Sequence, residues 1–122
     1  MPHIRGGPLV WRFSSADQGG PFAWSALADP ATYMQVMEKL HQFETMEETD
    51  IHRGGSHPVE YGKLAKGARD RLAAIQQDDI DSLMSFRLTG PERVWCRMDR
   101  NMMLVLWWDP GHQVCPSLKK HT

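Results

Sequence analysis

The sequence predicts an α+β domain in which two amphipathic helices cover one face of a mainly antiparallel sheet, in the order β-α-α-β-β-β. Two stretches repeat apolar residues at helical spacing, and three later runs are rich in β-branched and aromatic residues. Short turn sequences separate those runs. Two helices on one side would cover the apolar surface of such a sheet, which is why we expect this arrangement.

The chain of 122 residues is long enough for one hydrophobic core, so we expect a single domain over residues 1–122. Residues 1–8 form a loose arm in this interpretation, and residues 117–122 a basic tail. No apolar run has the length of a bilayer span, and the first residues lack the apolar core of a signal peptide. We therefore expect a cytoplasmic protein with no membrane association, in which Cys96 and Cys115 are packed thiols.

The first half of the chain predicts one strand and two helices. Apolar and polar residues alternate over most of residues 10–14, which favours a strand. Asp29-Pro30 begins a helix that extends to about residue 47, because aspartate caps free amides and proline suits the first helical position. After a glycine-rich loop, apolar spacing over residues 61–75 predicts the second helix.

Three strands follow, at residues 83–88, 93–98 and 103–108. The turn sequences between them are short enough to join antiparallel neighbours. The adjacent Trp107 and Trp108 should point to opposite faces of the last strand. One belongs to the core, and the other is either a stacking platform at an edge or part of a partner interface.

Charge is unevenly distributed, although the net charge is only −1. Acidic residues dominate residues 29–50, and basic residues dominate from residue 87 onward. Such a division can give the molecule one surface that faces anions. A solvated mixture of surface charges is the alternative interpretation.

Two histidines are candidates for proton transfer. His112 follows an apolar strand at a turn, and imidazole can take a proton from a ribose 2′-OH or give one to a leaving oxygen near neutral pH. The alternative is an exposed turn residue, and the neighbouring Asp109 either orients the imidazole or is simply part of the turn. His57 supplies a second imidazole, or else only begins a helix before Pro58.

Arginines on the same strands are candidates for phosphate binding. Arg93 and Arg87 could clamp a scissile phosphate and stabilise its developing charge, or they could be ordinary surface residues paired with acids. Arg93, Trp95 and Arg97 share one strand face, which is either an open basic face suited to stacking and phosphate contact with single-stranded RNA or an ordinary solvated face. The opposite face, with Val94, is then a core face.

The tail adds Lys119, Lys120 and His121, which either remain in solvent or fold back beside His112 to contact phosphate. The spacings of the histidines and cysteines match no usual zinc site. We therefore expect neither a metal nor another cofactor.

The order of elements, together with Phe86-Arg87-Leu88, Arg93-Val94-Trp95, Leu104-Val105-Leu106 and Gly111-His112, resembles the RelE/ParE superfamily of bacterial type II toxins. The histidine at the turn is similar to that of the YafQ-like branch, where it is implicated in RNA cleavage. The resemblance implies a RelE-like fold and a toxin that cleaves mRNA, with or without the ribosome. It also implies a cognate antitoxin that covers the basic face with an acidic or amphipathic segment.

The predicted function is therefore metal-independent endoribonuclease activity. His112 is the general acid or base, helped by His57. Arg93 is the transition-state clamp, and Arg87, Arg97, Trp95 and the tail position the RNA. The alternative is a non-enzymatic member of the same fold that binds a protein such as a topoisomerase or replication factor. The near-zero net charge and the double tryptophan favour that alternative.

Overall fold

The computed structural model describes residues 3–116. Within that range, a five-stranded sheet has the strand order β1-β5-β4-β3-β2, in which β1 and β5 are parallel and the other pairs antiparallel. The strands are β1 (Val10–Arg12), β2 (His57–Glu60), β3 (Ser82–Arg87), β4 (Arg93–Asp99) and β5 (Met102–Asp109). The helices are α1 (Pro30–Phe43), α2 (Glu48–Arg53) and α3 (Lys66–Ala74). The predicted α+β class is confirmed.

The order of elements differs from the prediction, since the chain runs β-α-α-β-α-β-β-β. The short helix α2 was not predicted, and the strand β2 lies where a loop was expected. Proline at position 58 has no N–H for a neighbouring strand, but β2 is an edge strand, where proline is tolerated. The helix predicted from residue 61 begins at Lys66, after a single turn of 3₁₀ helix.

The start of α1 is as predicted. The Asp29 carboxylate accepts a hydrogen bond from the backbone N–H of Thr32 at 2.9 Å, and Pro30 occupies the first helical position. The helix ends at Phe43, four residues before the expected end, and α2 follows after a turn. Val36, Leu40 and Phe43 form its buried side.

The two predicted helices lie on opposite faces of the sheet, so the prediction of two helices on one face is wrong. α1 and α2 contribute Val36, Leu40 and Ile51 to a cluster that covers what we call the first face. α3 contributes Ala68 and Leu72 to a separate cluster on the other side, the second face. The central strands carry buried apolar residues on both sides, so each face needs its own cover.

Consecutive residues of β4 and β5 show this division directly. Val94 and Cys96 pack in the first-face cluster, as predicted for a core face, and Trp95 packs in the second-face cluster. Trp107 and Trp108 point to opposite faces, as predicted. Both tryptophans are buried, so neither is an exposed stacking platform.

An ion pair between the buried Asp17 and the partly exposed Arg71 fastens the segment between β1 and α1 to the second face. The Asp17 carboxylate accepts hydrogen bonds from Arg71 Nε at 2.8 Å, Arg71 Nη2 at 2.7 Å and Trp107 Nε1 at 2.9 Å. The hydrogen bonds from Arg71 hold the pKa of Asp17 below its usual value, against the opposing effect of burial. Asp17 thereby links β5 to α3.

The N-terminal segment before β1 has specific contacts. Ile4 donates its backbone N–H to Glu48 at 3.0 Å, and the Asn101 side chain donates to the carbonyl of Pro8 at 2.8 Å. Cys96 and Cys115 are free thiols, the first buried and the second partly buried. Among residues 3–116, no helix has both the length and the apolar character needed to cross a membrane.

Candidate functional site

Four of the predicted residues come together at one end of the second face. We call His57, Arg87, Arg93 and His112 the cationic cluster. Arg87 on β3 is the direct cross-strand partner of Arg93 on β4, so their side chains leave the sheet about 5 Å apart. His57 lies on β2 beside β3, and Arg93, Arg87 and His57 all act electrostatically on His112.

Arg87 is placed by the segment that leads into β2. Its backbone N–H donates to the Ser56 hydroxyl at 2.9 Å, and Ser56 is buried. Its side chain passes over Gly55, where a Cβ atom would lie 2.9 Å from Arg87 Cδ. Because Gly55 also has a φ of +101°, a larger residue there would both strain the backbone and displace the arginine.

Arg93 is anchored by the turn between β3 and β4. Its Nη1 donates to the carbonyl oxygens of Gly90 at 2.8 Å and Glu92 at 2.9 Å. Both bonds use the same nitrogen, so the fork formed by Nε and Nη2 is held in a fixed direction. Burial and the neighbouring Arg87 lower the pKa of Arg93, while Asp109 opposes that effect. Arginine nevertheless stays protonated, so the strand pair carries two adjacent positive charges.

His112 is held by the turn that ends β5. The carboxylate of Asp109 accepts the backbone N–H of Gln113 at 2.8 Å and of Val114 at 3.0 Å, which curls the chain back on itself. Within that turn His112 has a φ of +57°, a left-handed conformation that non-glycine residues seldom adopt. Such conformations persist where the surrounding structure imposes them, often at functional sites.

Burial lowers the pKa of His112, and the positive charge of Arg93 lowers it further. Arg87 and His57 act in the same direction, and only Asp109 opposes them. The neutral imidazole is therefore favoured at neutral pH. A neutral imidazole beside two guanidinium groups can accept a proton from a group that the arginines hold.

His57 is exposed at the start of β2. Its Nδ1 lies 3.0 Å from the carbonyl oxygen of Pro58, which can only accept a hydrogen bond. Nδ1 therefore carries a proton, and proton exchange is left to Nε2. The interpretation of His57 as a helix-start residue is wrong, because the next α-helix begins nine residues later.

Two predicted RNA-binding residues do not join the cluster. Trp95 is fully buried and its Nε1 donates to Asp109 at 3.0 Å, so it cannot stack on a base. Arg97 lies towards the other end of β4, where it pairs with Asp79 at 3.3 Å and with the side-chain oxygen of Gln77. The prediction of an open face formed by Arg93, Trp95 and Arg97 is therefore wrong, since α3 covers the tryptophan. Lys119, Lys120 and His121 lie outside the described residues.

The sequence interpretation missed what positions the cluster. Asp109 is buried and its carboxylate is bonded to the indole of Trp95 and to two backbone amides, so it is a turn anchor, one of the two roles considered for it. Ser56 supports Arg87, and a serine beside a glycine pair gives no sequence signal of that role. Over residues 3–116, no group of three or more histidine, cysteine or acidic side chains could hold a metal ion.

No family model, no curated protein and no solved structure matches this chain. The chemistry of the cationic cluster is therefore the basis on which function is assigned.

Proposed function

We propose that the chain is a metal-independent endoribonuclease that cleaves mRNA, a toxin similar to the RelE/ParE superfamily. The observation that supports this most is the cross-strand pair of Arg87 and Arg93 beside His112. Like charges directly opposite each other destabilise a sheet. An anion bound between them would remove that cost, and a phosphodiester is an anion whose two free oxygens match two guanidinium groups.

The histidines supply the proton transfers. His112, with its lowered pKa, takes the proton of the ribose 2′-OH as that oxygen attacks phosphorus. The bond from phosphorus to the 5′ oxygen breaks, and the protonated imidazole of His57 gives its proton to that oxygen. The products are a 2′,3′-cyclic phosphate and a 5′-hydroxyl. Arg93 and Arg87 stabilise the charge that develops on the phosphate oxygens.

The test is tightly regulated expression in bacteria, together with purified protein and RNA in the presence of a chelator. We expect the native chain to arrest growth and to create RNA ends with cyclic phosphates. His112→Ala should lower the cleavage rate about 10²- to 10⁴-fold. Arg93→Ala should lower it about 10²- to 10³-fold. His41→Ala and Arg53→Ala, on exposed residues of α1 and α2, are matched controls that should cleave normally.

Two results would contradict the nuclease. Intact RNA with the native chain would exclude it directly. Growth arrest that persists in His112→Ala with RNA intact would instead support the second candidate, a protein that binds a protein target. A specific observation favours that candidate: β1 is a sheet edge, and a groove of about 450 Å³ separates it from α1. Exposed apolar residues occur on β1, just after it and on α1, namely Val10, Phe13, Tyr33 and Met34.

An antitoxin would act on the same cluster. A carboxylate from a partner protein placed between Arg87 and Arg93 would remove the charge repulsion as the scissile phosphate does. Inhibition would therefore be competitive with RNA.

A further inference from the structure

A groove opens directly beside the cationic cluster, and His57 lines both. The groove has a volume of about 790 Å³, within the range of small-ligand sites. We call it the β2 groove, because the strand β2 and the turn after it form most of its wall. Its lining residues are His57, Pro58, Val59, Glu60, Lys63, Asp81, Ser82 and Cys115.

The charges of the β2 groove differ from those of the cluster. Two acidic residues, Glu60 and Asp81, and one basic residue, Lys63, line the groove, and all three are exposed. A phosphate would be repelled by the acidic residues and attracted by Arg87 and Arg93 of the adjacent cationic cluster. A nucleotide bound across both sites would therefore have its phosphate at the arginines and its base in the groove.

The groups in the groove discriminate among bases. Carboxylates only accept hydrogen bonds, and the ammonium group only donates. Guanine presents two adjacent donors, N1–H and the N2 amino group, next to the acceptor O6. Adenine and cytosine present one amino group next to an acceptor, and uracil presents a single imino donor between two acceptors. Carboxylate acceptors for N1–H and the N2 amino group, next to a lysine that donates to O6, thus match guanine best.

Glu60 and Lys63 form an ion pair that a bound base could replace. Lys63 Nζ lies 3.7 Å from Glu60 Oε1, and their side chains are 71% and 78% exposed. Such an exposed pair contributes little to stability, so it can separate around a base at small cost. Cys115 donates to the carbonyl of Lys63 at 3.3 Å and fixes the backbone from which the lysine projects.

We infer that the β2 groove holds the base of a nucleotide adjacent to the scissile phosphate and selects guanine. This inference rests on the proposed function, since the cationic cluster holds the phosphate. Glu60 and Asp81 are the specificity-determining acceptors, and Lys63 donates to O6.

The test uses short 2′-O-methyl oligonucleotides, which the protein cannot cleave because the 2′ oxygen carries no proton. Four tetramers identical except for one position with G, A, C or U are titrated against the purified protein, with fluorescence anisotropy as the readout. We expect the G tetramer to bind about tenfold more tightly than the U tetramer. Glu60→Gln and Asp81→Asn should each reduce that preference, and the double variant should abolish it.

Asp78→Asn is the matched control, because it makes the same charge change on an exposed residue outside the groove and should keep the preference. Equal affinity for all four tetramers, or a preference that survives in the double variant, would overturn the inference. A 5′-GMP competitor distinguishes the source of the base. If GMP alone binds as tightly as the G tetramer, the groove serves a free nucleotide and the assignment to RNA is overturned.

The outcomes separate this inference from the proposed function. Native protein that cleaves RNA without preference for guanine at the cut would contradict only the inference. Native protein that prefers the G tetramer but leaves natural RNA intact would contradict only the nuclease. The variant His112→Ala should lose cleavage and keep the tetramer preference, because it lies outside the groove lining.

Discussion

The two faces of the sheet are built differently. The first face is covered by α1 and α2 with an almost entirely apolar cluster. The helix on the second face is α3, which has nine residues compared with 14 for α1, and Phe22, Tyr61 and Ile80 pack beside it. Its cluster includes two tryptophans whose indole N–H groups donate to the buried carboxylates of Asp17 and Asp109.

The difference shows how a small domain can carry both a core and a polar site. The first face supplies apolar burial, which needs no particular direction of approach. The second face uses hydrogen-bonded carboxylates, which are directional and fix turns in place. The carboxylate of Asp109 joins the indole of Trp95 to the turn that carries His112, so the polar frame of the second face also positions the cationic cluster.

The largest expected effect on stability comes from truncating a buried side chain of the first face. Phe86 is fully buried, with ring centroids 4.9 Å from Trp11 and 5.0 Å from Phe43. We expect Phe86→Ala to lower the free energy of unfolding by about 4 kcal/mol, measured by urea denaturation. Met34→Ala, on the 66% exposed residue of α1, should change it by less than about 0.5 kcal/mol. A small loss for Phe86→Ala would mean that the first face does not dominate stability.

A smaller effect comes from the ion pair of the second face. Asp17→Asn should lower the free energy of unfolding by about 2 kcal/mol at neutral pH, because the buried charged acceptor of the Arg71 and Trp107 hydrogen bonds is lost. Since the pKa of Asp17 is lowered from 3.8, the native pair contributes stability above about that pH and loses it as pH falls through the lower value. The cost of the substitution should therefore shrink in acid. Asp70→Asn, on an exposed pair with Lys66, is the control, and a cost that is independent of pH would contradict the assignment.

The smallest expected effect is a change in the pKa of His112, which tests its electrostatic coupling to Arg93. In NMR titrations the pKa of His112 should lie below 6.5, and Arg93→Gln should raise it towards that value. The rise will be partial, because burial is the larger cause. Arg97→Gln, on the same strand but paired with Asp79, should leave it unchanged. An unchanged pKa in Arg93→Gln would show that the two side chains are not electrostatically coupled.

Local signals predicted the fold well, and long-range placement was where they failed. The Asp29-Pro30 helix start and the last three strands are where the sequence indicates them, because capping and alternation act over a few residues. An amphipathic pattern shows that a helix has an apolar side, but not which face of a sheet it covers. On its side of the sheet α3 packs with Trp95, which was predicted to stack on RNA, and with Trp107, for which a core position was one of the alternatives.

For the candidate site too, residue type could be interpreted from the sequence, whereas long-range contacts could not. His57, Arg87, Arg93 and His112 were predicted from residue type, and the sheet register brings them together. Trp95 failed as a binding residue because its indole is bonded to a buried carboxylate 14 residues away. The β2 groove was missed because the glycine-rich stretch before Pro58 indicated a loop, whereas an edge strand at residues 57–60 forms much of its wall.

The parallel pairing of β1 with β5 has a consequence for how the chain reaches this structure during synthesis. Val10 pairs with Met102 and Arg12 with Leu104, so β1 is synthesised long before β5, the strand with which it pairs. Until residues 102–104 emerge, the apolar side of β1 has no neighbouring strand, and closing so long a loop is slow. The antiparallel strands β2, β3 and β4 are each made next to their partners and can pair earlier. We therefore expect the pairing of the edge strand β1 to complete the sheet after the antiparallel pairs have formed.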